Sequence, residues 1–309
     1  MALDLADDFC LNLISRVIKL RVAIAFKRHE SSFFSSIKDI SLRKNGLSEK
    51  DRFSPKEKAI IALLPSRRSW PKANQKLRAN KNSSDILRWR ILKCIERDVK
   101  GGVEKPYLLN LSNFIDSIKN RIEAPGFSLA EASIAFVPKG PKDYRSIATL
   151  SLSDNLIVGL VAASLTNKYD PMFSEHSYAF RAPGPARMAR NHHEVFLILK
   201  DWCDRKRTSG VNSFYVAEAD LKGFFDNVDK KLLRERLENL NLNDSEKAVC
   251  FSYLDFYNFA SVLELAKQTG IKLKNYVQDL RKSVSDYDAR PSDFGIPQGG
   301  ALSCFFANL

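Results

Sequence analysis

Hydrophobic residues recur at three- and four-residue steps near the start of the chain, in Leu5–Phe26. This spacing is typical of a helix that buries one face. A second helix is predicted to begin at Ser54-Pro55, because serine caps a helix, proline fits its first turn and Glu57 completes a capping box. Pro65 would end that helix.

The most basic run of the chain is Arg67–Lys100, and Gly101-Gly102 end this segment. If part of it forms a helix, the buried positions would be Ile86, Leu87, Ile91 and Ile95. The segment holds eleven lysines and arginines against three acids, with Trp70 and Trp89 among them. One interpretation is a helix whose charged face lies in water. The other, which we favour, is a surface that contacts RNA, since indole rings stack on bases.

Further helices are predicted over residues 154–168, 195–203, 230–240, 244–257 and 301–309. Asp226 or Asp229 would cap the helix that begins at residue 230, and Asp244 would cap the next one. Strands Ile134–Val137 and Tyr144 onward flank turn-forming residues, which predicts a β-hairpin. The whole pattern indicates an α+β fold.

Phe214–Ala219 is predicted to form a short buried strand, because it is rich in β-branched and aromatic residues. Side chains alternate along a strand, so Glu218 and Asp220 would share one side at its end. Two carboxylates there are costly to desolvate without a cation, and oxygen ligands suit Mg²⁺. The alternative is a solvent-facing strand end followed by a helix-capping aspartate.

The net charge of the chain indicates what kind of molecule it binds. The 309 residues include 49 basic and 36 acidic side chains, a net charge of +13, which favours a polyanion. The five dispersed cysteines predict reduced thiols rather than disulfides or a zinc site. The charges within Met1–Phe26 argue against a signal peptide or a membrane helix, so we expect a cytoplasmic protein with no membrane partner.

A glycine-rich loop, Phe294-Gly-Ile-Pro-Gln-Gly-Gly-Ala-Leu-Ser303, is the second candidate site. Pro297 stiffens its entry, and Gly299 and Gly300 lack side chains where something must approach the backbone closely. Gln298 would project its amide from this rigid base.

This loop and the stretch Asp220-Leu-Lys-Gly-Phe-Phe-Asp226 resemble the palm motifs of reverse transcriptases, especially bacterial enzymes related to group II intron and retron enzymes. Ser177-Tyr-Ala-Phe-Arg181 is a partial match to a further motif of the family, with Ala179 in place of a glycine. The resemblance covers residues 128–309. It implies right-hand polymerase fingers over 128–205 and a palm with an antiparallel sheet and packed helices over 206–309, after a mostly helical, basic N-terminal extension over 1–127.

The resemblance implies two-metal nucleotidyl transfer with two Mg²⁺ ions, for which Mn²⁺ could substitute. Asp220 would coordinate both ions, and the carbonyl of Leu221 would complete one shell. Residues that would bind the incoming nucleotide are Arg145, Lys139, Lys142, Phe225, Gln298, Pro297 and Gly299. Residues that would bind nucleic acid are Arg181, Arg187, Trp70, Trp89 and Arg88.

Two of these roles are specific. Arg145 is our first choice to grip the triphosphate, since a guanidinium makes bidentate phosphate contacts, and the turn spacing does not decide which of Lys139 and Lys142 points inward. Phe225 matches the bulky residue that excludes a 2′-hydroxyl and so favours deoxynucleotides.

The sequence departs from the family in one respect. It contains no aromatic-x-Asp-Asp motif, which carries the remaining metal ligands, and no thumb. We therefore expect the palm to be incomplete and this chain to be inactive alone. A longer protein would carry the remainder, the interpretation that we favour, or a second protein chain would supply it.

The resemblance also implies partners. They are an RNA template, for which a dedicated non-coding RNA is one candidate, deoxynucleoside triphosphates and the DNA product, with self-association as an option. The N-terminal extension is similar to that of reverse transcriptases in bacterial antiphage defence. Alternative functions are a non-catalytic RNA-binding scaffold and template-independent or protein-primed DNA synthesis.

Overall fold

The computed structural model describes residues 3–27, 53–130, 133–140, 143–181, 192–210, 213, 215, 217–221, 224–257, 259–270 and 293–309. The chain divides into two compact units, Met1–Ala124 and Pro125–Leu309. The described residues are mainly helical and include one two-stranded antiparallel sheet, so they combine α and β structure. None of the helices in this part of the chain is both long and apolar enough to span a membrane.

The described residues of the first unit are mainly helical. Its helices are α1 (Asp8–Lys27), α2 (Pro55–Ala62), α3 (Gln75–Asn80), α4 (Ser83–Lys100) and α5 (Pro106–Glu123). The capping box predicted at Ser54 is confirmed: Ser54 Oγ accepts a hydrogen bond from Glu57 N, and the Glu57 carboxylate accepts one from Ser54 N. α1 packs against α2 and α4, and Leu13, Val17 and Ile91 of α1 and α4 are buried.

The predicted hairpin is confirmed in the second unit, where β1 (Ser133–Gly140) pairs with β2 (Asp143–Thr149) and Val137 lies opposite Arg145. One face of the hairpin packs against a core cluster. The residues on that face are Ile134, Phe136 and Ala148, and the cluster is Tyr257, Val262 and Phe294. Ser146 lies on the same face, with its hydroxyl 3.4 Å from that of Tyr257. Arg145, one residue along, is exposed on the opposite face because strand side chains alternate.

The helices of the second unit are α6 (Leu152–Tyr169), α7 (His192–Thr208), α8 (Lys230–Glu238), α9 (Asp244–Asp255), α10 (Phe259–Gln268) and α11 (Ala301–Phe306). α6 packs against both α9 and α11. The cap predicted for α9 is wrong by one residue: Asn243, rather than Asp244, caps this helix and forms a capping box with Glu246. Asparagine and aspartate are equally good caps, so propensity could not separate them.

The strand predicted over Phe214–Ala219 is not formed by the residues of it that the structure describes. Tyr215 and residues 217–220 have no strand conformation, and Tyr215 is 99% exposed. The sheet of the described residues contains only β1 and β2, so none of these residues offers a neighbouring strand to pair with this segment. Phe214 and Val216 lie outside the described residues.

Candidate functional site

The two sequence motifs, separated by residues 227–293, are in direct contact. Ile296 N donates a hydrogen bond of 2.9 Å to Phe225 O, and Gly295 N donates one of 2.9 Å to Val228 O. An isolated antiparallel bridge pairs Asp229 with Phe294. The glycine-rich loop is therefore attached by its backbone to the turn that follows Asp220.

A side-chain contact joins the same two motifs. Gln298 Nε2 lies 3.2 and 3.3 Å from the two carboxylate oxygens of Asp226, which is only 1% exposed. The amide nitrogen of Gln298 is therefore directed at a buried carboxylate within the protein. The sequence alone does not identify Asp226 as the partner of Gln298, although Asp226 is the second aspartate of the motif and a candidate helix cap.

The helix cap at this position is Asp229. Its Oδ1 accepts hydrogen bonds from Lys231 N at 2.8 Å and Leu232 N at 3.2 Å, at the start of α8. One of the two predicted alternatives is thus confirmed. An exposed Asp220 followed by a capping Asp229 is what the alternative interpretation of this stretch expects.

Lys230, the first residue of α8, is a buried cation that the sequence does not single out. Its Nζ donates a hydrogen bond to the carbonyl of Tyr257, in the core cluster beneath the hairpin. Burial lowers the pKa of Lys230 to about 8, against the opposing influence of Asp255. The start of α8 is therefore held by the core cluster through Lys230, and the turn before it is held by the glycine-rich loop.

The loop is held on its other side by α9. Ser303 Oγ donates to Pro297 O at 2.5 Å and lies 2.9 Å from Tyr253 Oη. Burial raises the pKa of Tyr253, so its hydroxyl stays protonated. Pro297 is buried, as a stiff entry to the loop requires.

Tyr253 is the group that approaches the backbone closely at the paired glycines, and it does so at Gly300. A Cβ placed on Gly300 would lie 1.7 Å from Tyr253 Oη, so a larger residue does not fit there. Gly299 is different: it has open space around it, but its φ of +78° favours glycine. The two glycines are thus required for two separate reasons.

Replacing Gly300 with alanine is expected to lower the free energy of unfolding by about 2–3 kcal/mol, as overpacking against a buried ring does. Gly299→Ala is the matched control, because only its backbone is strained, at a cost of about 1–2 kcal/mol. Chemical denaturation of the two variants measures the difference. In a Tyr253→Phe background, which lacks the clashing hydroxyl, Gly300→Ala should lower the free energy of unfolding by less. If Gly300→Ala costs the same with Tyr253 and with Phe at this position, the packing explanation is contradicted.

Asp220 and Leu221 are both exposed. Within the described residues, no group of three or more histidine, cysteine, aspartate or glutamate side chains could hold a metal ion. One carboxylate and one carbonyl are fewer oxygen ligands than two Mg²⁺ ions need. The described residues therefore do not fit a two-metal site by themselves.

The predicted nucleotide contacts are only partly described. Arg145 is exposed on the outer face of the hairpin, whereas the side chain of Lys139 and the whole of Lys142 lie outside the described residues. Phe225 is half-buried, and its ring stacks edge-on against Phe224 with the centroids 5.2 Å apart. The backbone carbonyl of Phe225 is the one that the loop binds, so the position of this ring is tied to the loop.

Arg181 does not have the role predicted for it. Its side chain is 1% exposed and lies in a buried ion pair with Asp170, with Nε 2.8 Å from Oδ1. Its remaining nitrogens donate to the carbonyls of Ser174, Ser177 and Asp170. A side chain enclosed in this way supports the fold and is not available to nucleic acid. Arg187 lies outside the described residues.

Trp70 is also misassigned by the sequence argument. It is 6% exposed, and its indole nitrogen donates to Pro65 O at 2.9 Å, so it cannot stack on a base. Trp89 is half-buried, and Arg88 is exposed with Asp85 3.6 Å away. Alternating apolar and basic residues could not show which aromatic ring turns inward, because Trp70 precedes α4 and is not part of its helical pattern.

No protein-family model matches the chain, and no curated protein matches it. The function of the chain is therefore inferred from the motif residues and from the contacts between them.

Proposed function

We propose that this chain forms the fingers and part of the palm of a bacterial RNA-directed DNA polymerase. The observation that supports the proposal is the contact between the two motifs, through Ile296 N to Phe225 O and Gln298 to Asp226. Residues 220–226 and 294–303 resemble elements that act together in that family. Contact between segments so far apart in sequence is what a shared site requires.

The hairpin supplies the triphosphate contact in this proposal. Its inner face packs on Phe294, the first residue of the loop, so the hairpin and the loop share one core. Arg145 projects from the outer face, exposed and close to the turn of the hairpin. Its guanidinium can bind two phosphate oxygens at once, as a triphosphate requires.

Phe225 acts as the sugar selector. The ring is half-buried and held beside Phe224, while its backbone is anchored by Ile296. In this proposal the ring occupies the space that a 2′-hydroxyl would need, so deoxynucleotides are favoured. The hydrogen bond between Gln298 and Asp226 holds the loop in place, and the nucleotide would lie along this loop.

Mg²⁺ belongs to the proposal as the source of the charge stabilisation that phosphoryl transfer needs. Asp220 and the carbonyl of Leu221 would contribute ligands only together with carboxylates from outside the described residues. The RNA template, the DNA product and a role in antiphage defence are further parts of the proposal and come from the resemblance alone.

A non-catalytic RNA-binding scaffold is the second candidate function. The observation in its favour is that the described residues contain no cluster of metal ligands around the exposed Asp220. A scaffold would keep the contact between the motifs and the basic surface without holding ions.

Incorporation of labelled deoxynucleotides on an RNA template with Mg²⁺ tests the proposal in the full-length gene product. Arg145→Ala should raise the KM for deoxynucleotides about 10- to 100-fold, which is the cost of removing a charge-assisted phosphate contact. Arg205→Ala is the matched control, because this arginine is also exposed and pairs with Asp201 of its own helix.

Since Arg145 is exposed, its replacement should leave the melting temperature unchanged. If Arg145→Ala leaves the KM for deoxynucleotides unchanged, Arg145 does not bind the triphosphate. Absence of any incorporation by the unmodified protein would favour the scaffold.

A further inference from the structure

Asp226 is a buried carboxylate that faces the other motif. Its side chain is 1% exposed, and Gln298 Nε2 lies 3.2 and 3.3 Å from its two oxygens. The cap of α8 is Asp229, so capping that helix does not explain why an aspartate stands at position 226. A buried carboxylate is costly unless hydrogen-bond donors face it, and this requirement decides which atom of Gln298 lies against it.

The chemistry of this contact fixes the orientation of the Gln298 amide. A carboxylate only accepts hydrogen bonds, whereas a side-chain amide has a nitrogen that donates and an oxygen that accepts. The nitrogen therefore faces Asp226, because rotating the amide by half a turn would bring its oxygen against two carboxylate oxygens. Asp226 thus selects one of two amide orientations that have the same shape.

The oxygen of the same amide is left for another partner. Among the residues that the structure describes, none donates a hydrogen bond to Gln298 Oε1. Gln298 is half-buried, and its neighbour Gly299 is exposed, with open space where a side chain would lie. A ligand can therefore reach the loop beside Gln298, and the polar group that Gln298 has left to offer is an acceptor.

Backbone contacts hold both partners of the pair in place. Phe225, which precedes Asp226, accepts a hydrogen bond of 2.9 Å from Ile296 N through its carbonyl. Pro297, which precedes the glutamine, is buried, and its carbonyl accepts a hydrogen bond from Ser303 Oγ. Each partner therefore follows an anchored residue, so a change in the hydrogen-bonding character of position 226 need not displace the loop.

We propose that Asp226 is a positioning residue that orients the Gln298 amide, so that the glycine-rich loop presents a hydrogen-bond acceptor to the incoming nucleotide. The group bound there is a donor, either a hydroxyl of the sugar or an amino group of the base. This inference rests on the proposed function, which supplies the nucleotide. It adds a residue that acts through Gln298 and does not touch the substrate itself.

Asp226→Asn in the full-length gene product tests the orientation. The substitution keeps the shape of the side chain and a hydrogen bond to Gln298, but an asparagine accepts and donates, so the glutamine amide is no longer held in one orientation. The KM for deoxynucleotides is expected to rise about three- to tenfold, the factor that one ordinary hydrogen bond supplies, with kcat nearly unchanged. Damage to the fold alone would lower the rate at saturating nucleotide instead.

The double variant Asp226→Asn/Gln298→Glu reverses the pair. The asparagine nitrogen then donates to the glutamate, and the second glutamate oxygen again presents an acceptor, so a large part of the rise in KM should be recovered. Asp229→Asn is the matched control, because it removes the same charge from the same turn and asparagine caps a helix as well as aspartate does. Its KM should equal that of the unmodified protein.

Two substrates identify the donor. Dideoxynucleotides lack the 3′-hydroxyl, and dTTP has no amino group on its base. Asp226→Asn should leave the KM unchanged for whichever of them lacks the donor, and a rise for both would overturn the inference.

The inference is also overturned if Asp226→Asn leaves the KM for deoxynucleotides unchanged, if Asp229→Asn raises it equally, or if the double variant recovers nothing. In each of these cases the unmodified protein still incorporates nucleotides, so the proposed function stands. Absence of incorporation by the unmodified protein contradicts the proposed function itself, and the inference fails with it.

Discussion

Replacing Asp220 with alanine is expected to reduce incorporation of deoxynucleotides about a thousandfold or more and to leave the fold unchanged. The carboxylate is exposed, and helix capping in this stretch is performed by Asp229, so the folded structure does not depend on Asp220. A metal-dependent transfer loses several kcal/mol of transition-state stabilisation without its ligand, which corresponds to this factor. The measurement is the rate of labelled incorporation by the full-length gene product with Mg²⁺ on an RNA template, because this chain is expected to be inactive alone.

Glu218→Gln provides the control for that experiment. Glu218 is an exposed carboxylate two residues away, so its replacement changes the local charge in the same direction. Full activity in Glu218→Gln together with its loss in Asp220→Ala would assign the effect to one carboxylate. If Asp220→Ala and the unmodified protein incorporate nucleotides at the same rate, the polymerase proposal fails.

Replacing Arg181 with alanine is expected to lower the free energy of unfolding by about 3–5 kcal/mol, the usual cost of leaving one partner of a buried ion pair uncompensated. The carboxylate of Asp170 would stay in the interior, and the carbonyls of Ser174 and Ser177 would lose the guanidinium donor. Urea denaturation of the full chain gives the value. Arg88→Ala, which breaks only an exposed pair with Asp85, should cost less than about 1 kcal/mol.

A second variant separates the charge from the packing. Replacing both partners, in Arg181→Met/Asp170→Asn, removes the buried charges together and should recover a large part of the loss. If the double variant is as unstable as Arg181→Ala, the ion pair is not the cause. If Arg181→Ala leaves stability unchanged but weakens RNA binding, the role predicted for Arg181 from its sequence motif is restored.

The buried position of Arg181 changes how its motif is understood. Ser177 Oγ is 2.5 Å from Asn308 Oδ1, and Asn308 Nδ2 donates to Ala179 O, so this segment is fastened to the residues that follow α11. Phe305 of α11 packs against Tyr169 and Phe173 on the other side of the same region. Ser177 and Ala179 therefore contact the residue Asn308 after α11, and Arg181 contacts Asp170 after α6.

Local structure can be predicted from the sequence because its causes lie within a few residues. The capping box at Ser54, the hairpin around residues 138–143 and the cap at Asp229 each involve side chains and backbone groups close together in the chain. The helical stripe of α4 is predictable for the same reason, since Leu87, Ile91 and Ile95 are indeed buried. The two candidate motifs are likewise recognisable from their residues alone.

Contacts between distant segments are decided only by the tertiary structure. Whether Arg181 reaches nucleic acid or Asp170, and whether Trp70 stacks on a base or supports Arg90, depends on which surfaces the fold covers. The strand predicted at residues 214–219 is not formed by the described residues of that segment, because a strand needs a neighbour, which its own sequence cannot supply. Likewise, the apolar residues of α7 predict a helix correctly, yet Phe196 and Leu197 are each 68% exposed. Periodicity specifies a helix, but burial requires a partner surface that only the folded chain provides.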